Sequence, residues 1–427
     1  MKIVHLSSSD NGGAGIAAYR LHSAMRQKGL DSSLLVLCRK NDDESVQLIN
    51  TLNAEPSSCQ KGMSPHFQTS NLRWQLLMNF HPHRPAGLEM FSDASSDVVL
   101  ERVQAIQDAD IIHLHWVAGM LDYGRLATSF KGKKVVWTLH DMNPFTGGCH
   151  YAGSCQSYVT GCESCPQLGA NPRFDYAQYI FKQKLRGVEG LDVTVTAPSQ
   201  WLTECARKSA IFAGKQFVCL PNGISVDVFK PYARESVRNL LGIPQSDTVL
   251  LFGAFSVHNQ RKGFGLLVDA LAKMQPEQLK NTTLVFFGQA PADISLQLPC
   301  SVKGVGSISD ENSLALIYSM ADLFIIPSLE DNLPNTVLES LSCGTPVIGF
   351  RIGGIPDMVQ HQQTGYLVEP FDTTKLALGI AWCMDNLPQL SREACRQTVK
   401  YHFNVEFQAQ RYISLYRSLL ETASKLQ

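Results

Sequence analysis

The sequence predicts an α/β protein built from two Rossmann-like domains. Short apolar, β-rich runs alternate with helical runs in the first half of the chain, and this alternation is typical of parallel βαβ units. The alternation begins again near residue 218 and continues towards residue 402. A chain of 427 residues is also longer than one hydrophobic core usually serves. We therefore predict two domains that face each other across a cleft.

The first domain is predicted over residues 1–217. Its opening strand, KIVHLS, precedes the helical run GIAAYRLHSAMRQKG and a second strand, SSLLVLC. Further strands are predicted at DIIHLHW, KVVWTLH and DVTVTAPS. Each ends in polar or turn residues, and ligands of open α/β sheets bind at that end of the strands. Between Arg39 and Asp97 the alternation weakens around one amphipathic segment, LRWQLLMNF.

The second domain is predicted over residues 218–402. Its strand and helix candidates are VCLPNGI, VLLFGAFS, FGLLVDALAKM, TLVFFGQ, CSVKGVG, ENSLALIYSM and DLFIIPS. The remaining residues, 403–427, contain the segment NVEFQAQRYISLYRSLL, whose apolar positions have helical spacing. The chain therefore ends in a helix that follows the second domain.

The composition argues against several classes of function. With 37 basic and 38 acidic residues the net charge is −1, so no strong global field attracts nucleic acid or an anionic membrane. The first residues, MKIVHLSSSDNGG, lack the apolar core of a secretory signal. No stretch reaches the uninterrupted apolar length of a membrane span. We expect a cytoplasmic protein with no nucleic-acid partner.

Residues 327–357 carry the most informative motif. A β-rich run, FIIPS, leads into the helical run NTVLESLSCG, and the amides of a first helical turn favour phosphate oxygens. Asp331 precedes this helix and Glu339 lies on it, so two carboxylates can bond different parts of one polyhydroxylated ligand. The alternative is that Asp331 or Asn332 caps the helix and Glu339 is a solvated charge. Periodicity alone favours this alternative.

This stretch resembles the signature of the family 4 retaining glycosyltransferases. Their pattern has two glutamates separated by seven residues, then a CGTPV-type turn and a GG-x-P-[ED] turn. Here CGTPVI occupies residues 343–348 and GGIPD occupies residues 353–357. The resemblance extends over nearly the whole chain and is strongest from 247 to 370. It implies the GT-B architecture, in which the last helix packs back on the first domain.

The resemblance also implies roles for the residues of the motif. In the family the first acid bonds hydroxyls of the donor sugar, and the second bonds the ribose of the nucleotide. Glu339 fits the second position, whereas the first is occupied by Asp331 with Glu330 beside it, and either can take that role. The residues that follow join the expected donor-binding set: Asn332, Leu333, Pro334 and Asn335.

A glycine-containing loop, NGGAG, follows the first strand and opens a helix. Glycines let backbone amides approach a ligand closely, and a helix amino terminus favours an anion. A simple tight turn explains the same loop equally well. The resemblance implies that Gly12 and Gly13 border the cleft near the acceptor and the donor diphosphate.

His140 follows the strand KVVWTLH in a TLHD sequence. A lone histidine at a strand end is usually a polar residue near the surface. Similar glycosyltransferases share the TLHD sequence, and the resemblance implies that His140 contacts the donor sugar. Because a neutral imidazole can bond a sugar hydroxyl, we assign His140 a contact rather than base catalysis.

Arg261 and Lys262 precede a helical run of the second domain. Cations in a dry site stabilise the charge that develops on a leaving diphosphate, so the reaction is expected to need no metal cofactor. Family members carry a lysine in a KG pair, which Lys262 fits, and an arginine closer to the strand, where this chain has Ala254 and Phe255. We expect Arg261 to replace that arginine. A solvated Arg-Lys pair is disfavoured because cations at a helix start oppose its dipole.

Four cysteines cluster in the loop 145–169, which directly follows the TLHD sequence. They are Cys149, Cys155, Cys162 and Cys165. A Cys-x-x-Cys pair with two more cysteines nearby suits a structural zinc ion, and a cytosolic setting argues against disulfides. Reduced thiols or a redox pair are open alternatives, as is His150 as a zinc ligand. The loop resembles one in the family branch that builds colanic acid and other exopolysaccharides.

An amphipathic segment in the first domain suggests where an acceptor binds. Its apolar residues are Trp74, Leu76, Leu77, Met78 and Phe80, and the basic flanks are Arg73, His81, His83 and Arg84. Such a segment is more often a core helix than a membrane-surface helix. Enzymes similar to this chain act on lipid-diphosphate sugars at the inner membrane face, which favours peripheral association.

These observations predict a retaining, metal-independent glycosyltransferase. Its donor would be a nucleotide-diphosphate sugar, and its acceptor a polysaccharide or lipid-linked oligosaccharide of exopolysaccharide, capsule or cell-envelope synthesis. An epimerase or hydrolase acting on nucleotide sugars is the alternative enzyme, and a sugar-nucleotide-binding scaffold is the non-enzymatic alternative. The sugar, the base, the acceptor, the linkage and the oligomeric state are not determined by the sequence.

Overall fold

The computed structural model describes residues 1–49, 62–169, 175–289 and 298–424. The chain divides into two compact units, one formed by Met1–Gly223 with Glu406–Gln427 and the other by Ile224–Val405. Each unit contains a parallel sheet flanked by helices, which confirms the predicted α/β class with two Rossmann-like domains.

The first unit has, within its described residues, a seven-stranded parallel sheet in the order β3-β2-β1-β4-β5-β6-β7. The strands are β1 (Lys2–Ser9), β2 (Asp31–Cys38), β3 (Val46–Leu48), β4 (Ile111–Leu114), β5 (Lys134–Thr138), β6 (Val193–Ala197) and β7 (Gln216–Cys219). The strand order changes direction between β1 and β4. Ligands of doubly wound sheets bind at such a point, beyond the carboxyl ends of the strands.

Helices surround this sheet. They are α1 (Gly12–Gln27), α2 (Pro65–Phe80), α3 (Gln104–Asp108), α4 (Leu126–Ser129), α5 (Tyr176–Glu189), α6 (Gln200–Lys208) and the last helix of the chain, α15 (Val405–Ser424). Short 3-10 turns of this unit lie at Leu100–Arg102, Tyr123–Arg125, Asn143–Phe145, Ser157–Val159 and Ala210–Phe212.

Helix α15 packs on the first sheet, as the family resemblance implies. The Tyr412 hydroxyl lies 2.8 Å from Thr138 Oγ1 and 3.1 Å from Thr196 Oγ1, at the ends of β5 and β6. The Tyr416 hydroxyl lies 2.5 Å from His113 Nδ1 on β4. Both tyrosines are fully buried. Because their hydroxyls find partners on the sheet, α15 can bury them without losing hydrogen bonds.

The second unit has a six-stranded sheet in its described residues, in the order β10-β9-β8-β11-β12-β13. The strands are β8 (Thr248–Ser256), β9 (Thr282–Gln289), β10 (Ser301–Gly304), β11 (Leu323–Ile326), β12 (Val347–Phe350) and β13 (Gly365–Val368). The helices are α7 (Arg234–Leu241), α8 (Phe264–Ala272), α9 (Pro276–Leu279), α10 (Glu311–Met320), α11 (Asn335–Ser342), α12 (Ile355–Met358), α13 (Thr373–Asp385) and α14 (Arg392–His402). Apolar clusters cover both faces of the sheet, as parallel sheets require.

The first unit extends further than the sequence suggests. The expected boundary between residues 217 and 218 falls inside β7, which pairs with β6 as the last strand of the first sheet. Leu220 still donates to the Ala197 carbonyl at 2.9 Å. The chain passes from the first unit to the second between Gly223 and Ile224, after the PNG sequence. Among the described helices, none combines the length and the apolarity that a bilayer crossing needs.

Candidate active site

The loop between β11 and α11 holds the acidic motif of the second unit. Asp331 is buried and accepts a hydrogen bond from the Ser328 hydroxyl at 3.1 Å. Its backbone carbonyl accepts from Gly354 N at 3.1 Å. Gly353 has a φ of +52°, and a Cβ there would lie 1.7 Å from the Asp331 carbonyl oxygen. The GG turn is therefore glycine-rich because it packs directly on the backbone of Asp331.

The basic pair contacts this carboxylate. Lys262 Nζ lies 2.6 Å from Asp331 Oδ2, and an Arg261 guanidinium nitrogen lies 3.3 Å from Oδ1. Arg261 also donates to the Glu330 carbonyl at 2.8 Å. Burial alone would raise the pKa of Asp331, but the two cations and the bonds from Lys262 and Ser328 bring this pKa below its usual value. Asp331 is therefore an anion held by two cations at neutral pH.

A tight turn before α8 presents the two cations. Residues Gln260–Lys262 form a 3-10 turn, and Leu329 N donates to the Arg261 carbonyl at 2.7 Å. Gly263 has a φ of +71°, and a Cβ there would lie 1.8 Å from the Pro327 carbonyl oxygen. The glycine of the KG pair thus allows close contact between this turn and the acidic loop. Strand pairing of β8 with β11 brings the two segments together.

Glu339 is buried on α11 and its side chain accepts a hydrogen bond from the Tyr318 hydroxyl at 3.1 Å. The idea that Glu339 is a solvated charge is therefore wrong. The residue that caps α11 is Pro334, with no side-chain cap bond, so the capping role considered for Asp331 and Asn332 is also wrong. A buried carboxylate needs polar partners, which Tyr318 and a ligand hydroxyl can supply together.

The remaining donor-set residues surround the start of α11. Asn332, Leu333 and Pro334 are buried, whereas Asn335 and Glu330 are half-buried. In the first unit, helix α1 begins at Gly12, whose φ is +70°. A Cβ at Gly12 or Gly13 would meet no protein atom within 4 Å, whereas one at Gly15 would lie 2.5 Å from the Ser9 carbonyl oxygen. Gly15 is needed for packing, and space is open beside the other two.

His140 is half-buried just beyond β5 and lines a small cavity. His115, Trp116, Asp141 and Asn143 line the same cavity. Burial lowers the pKa of His140 to about 4, against the opposing effect of Asp141. The ring is therefore neutral at physiological pH, as the sequence-based assignment of a contact role requires.

Two further residues belong to this site. Trp116 was not predicted from the sequence, and His150 was considered there only as a zinc ligand. Trp116 Nε1 donates to Asp141 Oδ2 at 2.7 Å. His150 Nδ1 lies 2.6 Å from the same carboxylate oxygen, and its Nε2 lies 2.8 Å from Ser92 Oγ. Both nitrogens of His150 are thus engaged, which argues against His150 as a zinc ligand. The sequence signal for Trp116 was its position at the carboxyl end of the predicted strand DIIHLHW.

The four clustered cysteines line one cavity and are free thiols. Burial raises the pKa of Cys162 to about 12, and it also raises the pKa of Cys149 and Cys165. Gly147 N donates to Cys162 Sγ at 3.0 Å. Within the described ranges, the side chains close enough to share one metal ion are three imidazoles, those of His5, His113 and His115, rather than these thiols.

Helix α2 presents more apolar surface than a core helix would. Leu77 is buried, but Leu72, Leu76 and Phe80 are exposed, Phe80 by 78%. The favoured expectation that this segment is packed in the core is therefore wrong for most of its apolar side chains. Trp74 and Leu77 line a cavity of about 60 Å³. The cavity also reaches the ends of β1 and β4, through the residues Ser8, Trp116 and Gly119.

Comparisons with known proteins agree with this arrangement. A family model described as "Glycosyl transferases group 1" matches residues 246–386. An N-acetyl-alpha-D-glucosaminyl L-malate synthase of Bacillus anthracis is 26% identical over 84% of this chain and 91% of its own. The colanic acid glycosyl transferase WcaC of Escherichia coli, itself named as putative, is 23% identical over 82% of each chain. The Anabaena protein HepE, solved with UDP-glucose, has a TM-score of 0.65 at 18% identity, covering 98% of this chain and all of its own.

The two parallel-sheet units and the matched second unit define a glycosyltransferase with the GT-B fold. At 18% identity the likeness to HepE concerns the fold alone, whereas the sequence relatives and the family match concern the enzyme class. The family match in the second unit and the similarity to the malate synthase and to WcaC agree with the predicted resemblance to family 4 glycosyltransferases of the colanic acid and exopolysaccharide branch.

Proposed function

We propose that the chain transfers a sugar, with retention of configuration, from a nucleotide-diphosphate sugar to a saccharide or lipid-linked saccharide. The observation that carries this proposal is the contact of Lys262 and Arg261 with Asp331, next to the helix that holds buried Glu339. The two cations, Asp331 in the acidic loop and Glu339 on the helix that follows match the parts of a nucleotide sugar, which combines a diphosphate with hydroxylated rings.

Each group has a distinct task in this proposal. Glu339 accepts hydrogen bonds from the ribose, and Asp331 or Glu330 accepts from hydroxyls of the sugar. Lys262 and Arg261 bind the diphosphate. A lysine ammonium has three donors and a guanidinium has five, so both can hold a carboxylate and phosphate oxygens together. Asn332, Leu333, Pro334 and Asn335 complete the donor pocket.

The two cations also account for departure of the leaving group. Cleavage of the bond between the anomeric carbon and the diphosphate leaves negative charge on a phosphate oxygen. Preorganised cations beside that oxygen stabilise the charge, because they need not reorient during the reaction. Asp331 keeps both cations in place before the donor arrives. We infer that this pair does the work that a metal ion does in other transferases.

We infer that the first unit contributes to the same reaction. His140 would bond the donor sugar, and the amides at Gly12 and Gly13 would approach the diphosphate or the acceptor. The open space beside these two glycines and the cavity beside His140 support this. The cavity bounded by Trp74, Trp116 and Ser8 lies at the strand ends where an acceptor sugar would bind.

The exposed apolar face of α2 supports the proposal that the acceptor is lipid-linked. Leu72, Leu76 and Phe80 are exposed, and the half-buried residues Arg73 and Arg84 lie close to them in the sequence. Apolar side chains flanked by cations suit the interface of an anionic bilayer. We therefore propose a cytoplasmic enzyme that associates peripherally with the inner membrane, in exopolysaccharide, capsule or cell-envelope synthesis, and the relative WcaC supports this biological role.

The cysteine cavity supports a structural zinc ion. Four thiols line one cavity, and four is the number of sulfur ligands that a structural zinc ion binds. Binding would require the thiols to lose their protons and their sulfurs to converge. In this proposal the ion stabilises the loop 145–169 and takes no part in the reaction.

Turnover assays with labelled nucleotide sugars, with and without membrane lipid extract, test the enzymatic proposal. A labelled glycolipid whose anomeric configuration equals that of the donor is the expected result. Turnover that does not depend on an acceptor would instead identify an epimerase or a hydrolase. Binding of nucleotide sugars without any turnover would identify a scaffold.

A further inference from the structure

A row of buried histidines connects His140 to the interior of the first unit. His5 lies on β1, and His115 lies just after β4, on the strand next to β1. His115 Nδ1 lies 3.1 Å from His140 Nε2, and His115 Nε2 lies 2.9 Å from His5 Nδ1. His5 and His115 are almost completely buried. The three imidazoles therefore form a chain of two hydrogen bonds that ends at the cavity beside His140.

The three rings are neutral at physiological pH. Burial is the main cause that lowers the pKa of His5 and of His115 well below the usual histidine value, and it lowers that of His140 to about 4. A neutral imidazole has one N–H and one bare nitrogen. His115 can therefore donate to only one neighbour and must accept from the other. Both hydrogen bonds consequently run in the same direction along the chain.

His5, at the inner end of the row of histidines, determines the direction in which the two hydrogen bonds are donated. His5 Nε2 is buried and has no hydrogen-bond partner within the described ranges. If the bonds ran inward, this nitrogen would carry a proton with no acceptor. If they run outward, it carries only a lone pair. A buried N–H without an acceptor is the rarer and less favourable case. The outward direction, from His5 to His115 to His140, is therefore preferred.

We propose that His5 and His115 are positioning residues that hold the proton of His140 on Nδ1. His140 Nε2 accepts the bond from His115, so the ring carries its single proton on the opposite nitrogen. Histidines usually prefer the proton on Nε2 in water, and the chain reverses that preference. On the proposed transfer function, His140 then meets the donor sugar as a hydrogen-bond donor to an oxygen atom and not as a base.

A metal ion is the main competing use of these rings, since His5, His113 and His115 are close enough to share one. His113 already has hydroxyl groups at both nitrogens, 2.6 Å to Thr138 and 2.5 Å to Tyr416. Both nitrogens of His115 contact imidazoles. A metal would have to replace several of these bonds, whereas the hydrogen-bonded chain uses them as they are.

Nitrogen NMR of the full-length protein with ¹⁵N-labelled histidine rings tests the proposal directly. The signals of His140 are identified by their loss in His140→Gln. We expect a protonated Nδ1 and a bare Nε2 for this residue at pH 7.5. A proton on Nε2, or one equivalent of a transition metal held by the three buried histidines in purified protein, would overturn the proposal. This readout needs no catalysis, so its failure is distinct from failure of the transferase function.

Variants of His115 provide a second test. An asparagine amide nitrogen can take the place of the Nδ1–H group, so His115→Asn should keep the donor to His140, whereas His115→Leu removes it. We expect His115→Leu to move the His140 proton to Nε2 and to lower kcat about tenfold, with little change in KM and with recovery in His115→Asn. His22→Asn is the control, because His22 bonds Ser32 and Ser45 and makes no hydrogen bond to His5, His115 or His140. An unchanged His140 tautomer in His115→Leu would contradict the positioning role.

Discussion

Lys262 Nζ and Asp331 Oδ2 are 2.6 Å apart although the two residues are separated by 69 positions in the chain. The lysine belongs to the KG pair before α8, and the aspartate belongs to the acidic loop before α11. Because Asp331 is buried and its charge is matched by Lys262 and Arg261, loss of one partner leaves the others with unbalanced charge. The two sequence motifs therefore act as one electrostatic unit.

Lys262→Ala should lower kcat/KM at least about tenfold, because it removes a cation that would bind the leaving diphosphate. Steady-state assays with the preferred nucleotide sugar measure the effect. Lys273→Ala is the matched control, since Lys273 directly follows α8 and its ammonium group bonds the hydroxyls of Thr373 and Thr374. Equal activity of Lys262→Ala and wild type would show that the KG lysine does not contact the diphosphate.

Glu339→Gln should weaken binding of the nucleotide sugar at least about tenfold, since an amide is a poorer acceptor for ribose hydroxyls than a carboxylate. Isothermal titration with a nucleoside diphosphate measures this loss without any acceptor. Glu393→Gln, on the exposed side of α14, should bind as wild type does. The deoxyribose analogue of the same nucleotide provides the check. If the change from ribose to deoxyribose costs Glu339→Gln as much affinity as it costs wild type, Glu339 does not bond the ribose.

Acid should destabilise the first unit between about pH 6.5 and pH 4. Burial lowers the pKa of His22 and of His140 from 6.5 to about 4 in the folded state. In this window the unfolded chain takes up protons that the folded chain does not, so the free energy of unfolding falls as pH falls. Urea unfolding at a series of pH values measures the slope. His22→Asn should reduce the slope, and an identical slope in this variant would show that His22 is not held neutral.

Protein purified under reducing conditions with zinc in the medium should contain about one zinc ion per chain, if the four cysteines bind it as proposed. Elemental mass spectrometry measures the content. Cys162→Ser and Cys165→Ser should lose the metal, whereas Cys383→Ser, a buried cysteine of α13, should not. Metal-free wild type with four titratable thiols in the loop would contradict the zinc site.

Phe80→Glu should reduce binding to vesicles that contain anionic lipid several-fold, because it places a negative charge on the exposed apolar face of α2. Co-sedimentation measures the bound fraction. Leu240→Glu is a suitable control, since Leu240 is 83% exposed but lies in the second unit. Equal loss in both variants would indicate a nonspecific effect of charge.

The sequence was sufficient for the features that local pattern determines. It predicted most strands of both sheets and the helix that carries Glu339, whereas the packing of the last helix on the first unit was implied by the family resemblance. The strands β3, β12 and β13 were missed. Strand β3 has only three residues, and β12 and β13 are short, contain a glycine and border a turn. The strand β7 was assigned to the second domain because its pairing with β6 depends on tertiary structure.

The contacts between distant residues were outside the reach of sequence reasoning. Glu339 had a solvated alternative because helical spacing alone does not reveal the burial that α10 and Tyr318 provide. The contact of Lys262 with Asp331 and the chain from His5 to His140 join residues far apart in sequence, and single residue types at strand ends do not reveal such pairs. The resemblance to a family supplied the roles that spacing could not.

The packing of α15 on the first sheet has a consequence for synthesis of the protein on the ribosome. The hydroxyls of Tyr412 and Tyr416 form hydrogen bonds with Thr138, Thr196 and His113. The ribosome nevertheless adds these two tyrosines only after the entire second unit. During synthesis, Thr138, Thr196 and His113 of the first unit therefore remain without these tyrosine partners while about 180 further residues are translated. Truncation by a premature stop codon near the end of the message would therefore damage the earliest-made half of the enzyme.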